Sequence, residues 1–188
     1  MKEGSRIVVA VTGASGVAIG LRLMEVLTME KHLIVSEEAK ELIEVETGLT
    51  EEEAEANADF VYDNSDLGSP LSSGSFRYDA MVIAPCSMST LSKISAGISD
   101  NLATRVAAVC LKEHRTLVLV PRETPISAIH LRNMADLAQL GVFILPACPA
   151  FYPKPEKIED MIDFVVGRIL DVLGVENNLY ERWTGTKE

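Results

Sequence analysis

The stretch VVAVTGASGVAIG, residues 8–20, decides how the rest of the chain is read. β-Branched apolar residues run up to Thr12, and glycines follow at 13, 16 and 20. Apolar residues then recur at helical spacing as Ile19, Leu23, Val26 and Leu27. A buried strand, a tight turn and a helix in that order make the first unit of a parallel sheet, because parallel strands need a crossover between them. The alternation continues outward from there. With 6–12 (RIVVAVT) as the first strand, 31–36 (KHLIVS), 79–85 (DAMVIAP), 116–121 (TLVLVP) and 141–146 (GVFILP) read as four more. Helices are expected over 17–29, 37–48, 87–96, 100–112, 127–140 and 156–173, with a short acidic one over 50–58. Ser36 stands before acids in a first turn, as an N-cap does. Residues 62–78 are rich in Gly, Ser, Asp and Pro and read as a long loop, a length that often carries function. Short, continuous apolar strands between helices predict one doubly wound α/β domain over 1–188, a parallel sheet with helices on both faces.

Ligands of such sheets bind at the carboxyl ends of the strands. Those ends are TGAS (12–15), SEE (36–38), PCSMST (85–90), PRETP (121–125) and PACPAFYP (146–153), a rim rich in hydroxyls. The glycine turn misses the familiar fingerprints. Ser15 and Ala18 break GxGxxG, Val17 and Ile19 break the TGxxxGxG of short-chain reductases, and no Gly-Lys-Ser/Thr follows for a Walker A loop. Val17 also replaces the last glycine of GxSxG, so Ser15 is not a hydrolase elbow. What remains suits a phosphate-bearing ligand, through backbone N–H groups and hydroxyls at a helix N-terminus. It equally suits a turn that needs glycine for its geometry alone. Under the first reading a mononucleotide fits better than a dinucleotide, since Ser36 stands where an acidic ribose ligand is expected.

Composition narrows the classes. The chain has 188 residues, 47% of them hydrophobic, enough for one sizeable core. A net charge of -11 argues against nucleic acid, which needs a basic face. No apolar run approaches a membrane span and the N-terminus is unlike a signal peptide, so a cytoplasmic location is expected. Cys86, Cys110 and Cys148 are widely spaced, with no CxxC pair and no histidine at ligand spacing, so buried free thiols are expected rather than a structural zinc site. Arg105, Lys112, Arg122 and Arg168 are the candidate anion binders. Arg122 stands out because it lies just past the fourth strand, on the rim. Lys112 also fits a solvated charge at a helix end, and mid-helix Arg168 a snorkelling side chain. Glu123 is either an acid/base or a support for Arg122. Tyr152, on a loop between prolines, suits either a phosphate or a core cap. Trp183, the only tryptophan, suggests docking near the C-terminus. Cys86 lacks a basic helper that would make it a nucleophile.

The segments VTGASG (11–16), HLIVS (32–36), SSGSFRYDAMVIAPCSMSTL (72–91), AGISDNLATR (96–105), LKEHR (111–115), LVLVPRETPIS (117–127), PAFYPKP (149–155) and VGRILDVLG (166–174) occur in that order. Together they resemble the UbiX-type flavin prenyltransferases, from Ile7 to about Trp183. The resemblance implies a flavodoxin-like (Rossmann-like) fold and metal-independent transfer of the dimethylallyl group of dimethylallyl phosphate to N5 of reduced FMN. Ring closure onto C6 then gives prenylated FMN for UbiD-type decarboxylases. It also implies a homododecamer with sites at subunit interfaces. Carried over by position, Gly13, Ala14, Ser15, Ser36, Ser87, Met88, Ser89, Thr90, Arg122 and Trp183 would meet FMN. Tyr152 and Arg168, with Lys112 from the same or a neighbouring chain, would hold dimethylallyl phosphate. Ser15, Glu123, Lys112 and Tyr152 would serve the chemistry. Two departures stand out: Ser89 where many members have lysine, and Ala108 where many have aspartate. The rivals are an FMN-dependent cysteine-type decarboxylase of the same superfamily and a non-catalytic FMN carrier. The first relies on a histidine on an early helix, and residues 13–30 contain none. The second would not need a second set of anion binders.

Overall fold

Side-chain alternation along the first strand, β1 (Arg6–Val11), divides the interior into two layers. The computed structural model describes residues 4–185, so the outermost ends of the expected 1–188 domain lie outside it. In chain order the elements are β1, α1 (Val17–Val26), β2 (Glu30–Val35), α2 (Glu37–Thr47), α3 (Glu51–Glu55), β3 (Phe60–Asp63), β4 (Ala80–Cys86), α4 (Met88–Ser95), α5 (Leu102–Lys112), β5 (Thr116–Pro121), α6 (Ala128–Gln139), β6 (Phe143–Ile144) and α7 (Ile158–Leu173). The strands form one six-stranded parallel sheet in the order β3-β2-β1-β4-β5-β6. Ile7, Val9 and Val11 pack with α1, α2 and α7 on one face. Val8 and Ala10 pack with α4, α5 and α6 on the other. Both faces are buried, which is why the strands read as unbroken apolar runs.

The doubly wound reading holds, with differences at the sheet edges. β3 is a strand that the sequence reading placed partly in the long loop. It has four residues, pairs only with β2, and leaves Phe60 and Val61 49% and 45% exposed. An edge strand so short and half-exposed carries no apolar run to betray it. At the other edge, β6 keeps only Phe143 and Ile144 of the expected 141–146. The long loop after β3 is pinned down. Leu71 is fully buried, Arg105 Nε donates to the Ser72 carbonyl at 3.2 Å, and Arg115 donates to the carbonyls of Phe76 and Gly74 at 3.0 and 2.7 Å. Arg105 is thereby tied to the loop.

The strand order reverses between β1 and β4, and doubly wound sheets open their ligand crevice at that point. Thr12, just past β1, ties its two walls together. Its hydroxyl donates to the Pro85 carbonyl and accepts from the Ser87 N–H, both at 2.9 Å.

Candidate functional site

A cleft of about 740 Å³ opens above this switch point. Its floor is Thr12 and Gly13, and its walls come from Ser36, from Ser87 to Thr90, and from Asn101. Three helices begin here, each capped by a side chain of the wall. Ser36 Oγ accepts from Ala39 N at the start of α2, Ser87 Oγ from Thr90 N at the start of α4, and Asn101 Oδ1 from Thr104 N at the start of α5. Asn64 reinforces the last of these: its backbone carbonyl accepts from Leu102 N at 2.7 Å and its side-chain oxygen from Ala103 N at 3.0 Å. Three positive dipole ends and several hydroxyls therefore meet in one cleft. Ser36 thus both caps a helix, as its position announced, and faces the cleft. Gly13 is required by proximity, because a Cβ there would sit 2.7 Å from Glu38 Cβ.

Side-chain charge in the cleft runs the other way. Glu37, Glu38, Asp63, Asp100 and Glu123 line it, against Lys93, which is bound to Asp100 at 2.8 Å. The Lys93 hydrogen bond holds the Asp100 carboxyl below its ordinary range, and the Ser65 backbone N–H does the same for Asp63. An anionic ligand must therefore be held by oriented N–H groups and hydroxyls more than by net charge.

The glycine turn itself is partly occupied by the protein. Gly16, at φ 99°, caps α1 in the left-handed region open to glycine. The N–H groups of Gly16 and Val17 donate to Glu46 Oε2 at 2.9 and 3.2 Å. The expectation of free N–H groups at this helix start is corrected at those two positions: a carboxylate from α2 already fills them. Cys86 is fully buried and desolvation pushes its thiol far above the ordinary range, in keeping with an inert cysteine.

Of the residues singled out from sequence, Gly13, Ser36, Ser87, Met88, Ser89, Thr90 and Glu123 line this cleft. Ala14 is nearly buried and Ser15 exposed on the turn beside it. Arg122 reaches across to that turn, its Nε donating to the Ser15 carbonyl at 3.3 Å. Lys112, Tyr152, Arg168 and Trp183 do not line the cleft. Lys112 lies at the far end of α5 from Asn101, paired with Glu113 at 2.7 Å. The other three gather beside α7. Tyr152 meets Trp183 edge-on at 5.4 Å and Phe164 at 6.1 Å, while Arg168 bonds Asp171 at 2.9 Å. Tyr152 and Trp183 are 40% and 61% exposed, an open aromatic surface.

Thr12, Asn64 and Asn101 were missed as site residues. The first was visible only as a strand end, and the other two only as polar residues beside a loop and a helix start. Thr12→Val is expected to strand the Ser87 N–H and lower stability by about 1–3 kcal/mol. Urea denaturation checks this; an unchanged free energy would mean that the two walls do not depend on that hydroxyl.

Comparison with known proteins fits this geometry. A protein-family model described as Flavoprotein matches residues 1–170. The flavin prenyltransferase UbiX of Thermoplasma acidophilum is 50% identical over 179 residues, covering 95% of this chain and 99% of that protein. The crystal structure of AnUbiX (PadA1) in complex with FMN and dimethylallyl pyrophosphate superposes with a TM-score of 0.95 at 47% identity, covering 97% of this chain and 99% of that one. A dodecameric FMN-dependent UbiX-like decarboxylase from Escherichia coli O157:H7 superposes with a TM-score of 0.93 at 46% identity, covering 96% of this chain and all of that one, 100%.

Proposed function

Because the chain belongs to the flavoprotein family, among its UbiX flavin prenyltransferases, we propose that it joins the dimethylallyl group of dimethylallyl phosphate to N5 and C6 of reduced FMN. The observation that carries this reading is that the candidate ligand-binding residues fall into two separate groups. One is the cleft with its three helix starts, and the other is the exposed Tyr152–Trp183–Arg168 surface. A carrier of FMN alone needs only the first. The cysteine-type decarboxylase reading is not favoured, since α1 and its approaches carry no histidine.

The donor set fits FMN. Gly13 gives close backbone approach, and Ser36, Ser87, Ser89 and Thr90 supply hydroxyls at helix starts that suit its phosphate and ribityl oxygens. Ala14, Ser15 and Arg122 complete the β1 side, and Met88 adds an apolar wall. Reduced FMN, when bound, supplies the electron-rich N5 and C6 that accept the five-carbon unit. Arg168, Tyr152 and Lys112 hold the phosphate of the second substrate and stabilise the charge that grows on it as the carbon–oxygen bond breaks. Tyr152 and Trp183, exposed in one chain, would form an aromatic wall that excludes water and favours allylic cation character once a neighbouring copy covers them, with Trp183 also meeting FMN. The proton released at C6 goes to Glu123, which lines the cleft and accepts from Thr124 N at 2.9 Å through its Oε1, or to the released phosphate. Ser15, exposed on the turn beside the cleft, assists by hydrogen bonding.

In one chain Lys112 stands apart from the cleft, and Tyr152 and Trp183 are open. Both observations support sites completed by a neighbouring copy in a homododecamer. The product then serves a UbiD-type decarboxylase. A cytoplasmic location belongs to the same reading; of the three thiols expected to be buried, Cys86 and Cys110 are, whereas Cys148 is exposed.

The test is anaerobic. Purified protein is mixed with reduced FMN and dimethylallyl phosphate, and the released flavin is weighed by mass spectrometry. A flavin heavier by one dimethylallyl-derived five-carbon unit is expected. Unmodified FMN from protein that still binds it would overturn prenyl transfer in favour of a carrier.

A further inference from the structure

Arg168 is held in place by a cluster to which the reading above gives no role. Asp171, one turn further along α7, has a side chain only 18% exposed, and it bonds four neighbours. Its Oδ2 accepts from Arg168 Nη1 at 2.9 Å, from the Tyr180 hydroxyl at 2.6 Å and from Arg182 Nη1 at 3.2 Å. Its Oδ1 accepts from Arg182 Nη2 at 2.7 Å and from Asn177 Nδ2 at 3.0 Å. Arg168 and Arg182 also each donate Nη1 to the Tyr180 oxygen at 3.3 Å. The approach is close by design of the backbone: a Cβ on Gly167 would lie 2.5 Å from the Tyr180 ring, so only glycine lets that ring seat against α7. Trp183 directly follows Arg182 and meets Tyr152, and the Tyr180 ring packs on Phe164 at 4.8 Å.

One carboxylate therefore joins the Arg168 guanidinium to the segment that carries Trp183. Two guanidiniums face one carboxylate, so the cluster keeps a surplus positive charge after pairing. Among the described residues Arg168 bonds through Nη1 alone, leaving Nε and Nη2 for an anion. Burial alone would raise the Asp171 carboxyl, but the hydrogen bonds from Arg182, Tyr180 and Asn177 outweigh it and bring it to about 2. Asp171 is thus an anion throughout the neutral range. A guanidinium fixed in advance by a buried carboxylate loses less freedom when it binds phosphate.

We propose that Asp171 is a positioning residue for the phosphate of dimethylallyl phosphate, holding Arg168 and, through Tyr180 and Arg182, seating Trp183 against Tyr152. The proposal rests on the assignment of Arg168 and Tyr152 to that substrate. It makes the segment Asn177–Trp183 a working part of the substrate pocket and not a trailing end.

Asp171→Asn keeps the shape and removes the charge. It is expected to raise KM for dimethylallyl phosphate about tenfold, the equivalent of one charged hydrogen bond, with kcat and FMN affinity changed far less. Asp171→Glu should recover part of the loss. Trp183, the only tryptophan, gives a second readout that needs no flavin. In Asp171→Asn its emission should shift to the red and acrylamide should quench it more. Titrating dimethylallyl phosphate against that emission measures binding without turnover. Unchanged emission with unchanged KM would overturn the proposal. So would a loss shared equally between FMN affinity and kcat, which marks a merely structural knot. If Asp171→Asn does not fold, Tyr180→Phe carries the same expectations at smaller size. If the wild-type protein binds dimethylallyl phosphate yet makes no prenylated flavin, prenyl transfer fails while the binding comparison still decides the role of Asp171.

Discussion

Gly20→Ala is expected to lower the stability of the protein by about 3 kcal/mol, although helix propensity alone argues the opposite. Gly20 lies inside α1, where alanine normally gains about 1 kcal/mol over glycine. Packing reverses the sign. A Cβ at this position would run into the Ala84 carbonyl oxygen of β4 and stand 2.9 Å from Val11 Cγ2 of β1. The obstacle is sheet backbone at the centre of a fully buried layer, so no side chain can swing aside. α1 would have to lift from the sheet, taking with it the turn from Gly13 to Gly16. In a domain of this length each kcal/mol moves the thermal midpoint by about 2–4 °C, so a fall of about 6–12 °C is expected. Flavin affinity should drop with it. A midpoint that stays level or rises would show that α1 rests further from β4 than described.

Arg168→Ala is expected to raise KM for dimethylallyl phosphate by about 10–100-fold, the range of one or two charge-assisted hydrogen bonds. FMN affinity should stay nearly intact, because Arg168 is not among the residues lining the cleft. The substitution leaves Asp171 paired with Arg182 and Tyr180, so the wall formed by Trp183 and Tyr152 should remain seated. Steady-state kinetics with each substrate varied in turn, beside a flavin titration, separates the two effects. Equal loss of FMN would merge the two anion sets into one and undo the division of labour.

The residues that line the cleft were legible because the strand-end rule needs only the strands. Ser36, Ser87 to Thr90 and Glu123 follow directly on β2, β4 and β5. The turn after β1 was legible as a turn but not in its contacts. Glu46 is thirty positions from Gly16 in the chain, and nothing local announces that its carboxylate will occupy the start of α1. β3 was lost for a related reason: its only support is β2, and half its surface faces out. Lys112, Tyr152, Arg168 and Trp183 stood out as residues and took their ligand roles from the resemblance, and the structure locates them in two places, neither of them lining the cleft.

The sequence by itself determined the parallel α/β architecture, the rim of hydroxyls and the family. Buried strands must be apolar on both faces, and a strand–turn–helix repeat leaves its ligand-facing residues at fixed offsets. Tertiary structure alone decided that Thr12 would bridge to Ser87, that Glu46 would fill the start of α1, and that Asp171 would tie Arg168 to Trp183. Those are hydrogen bonds whose directions depend on where separate elements come to rest, and a single chain read in order holds no measure of that.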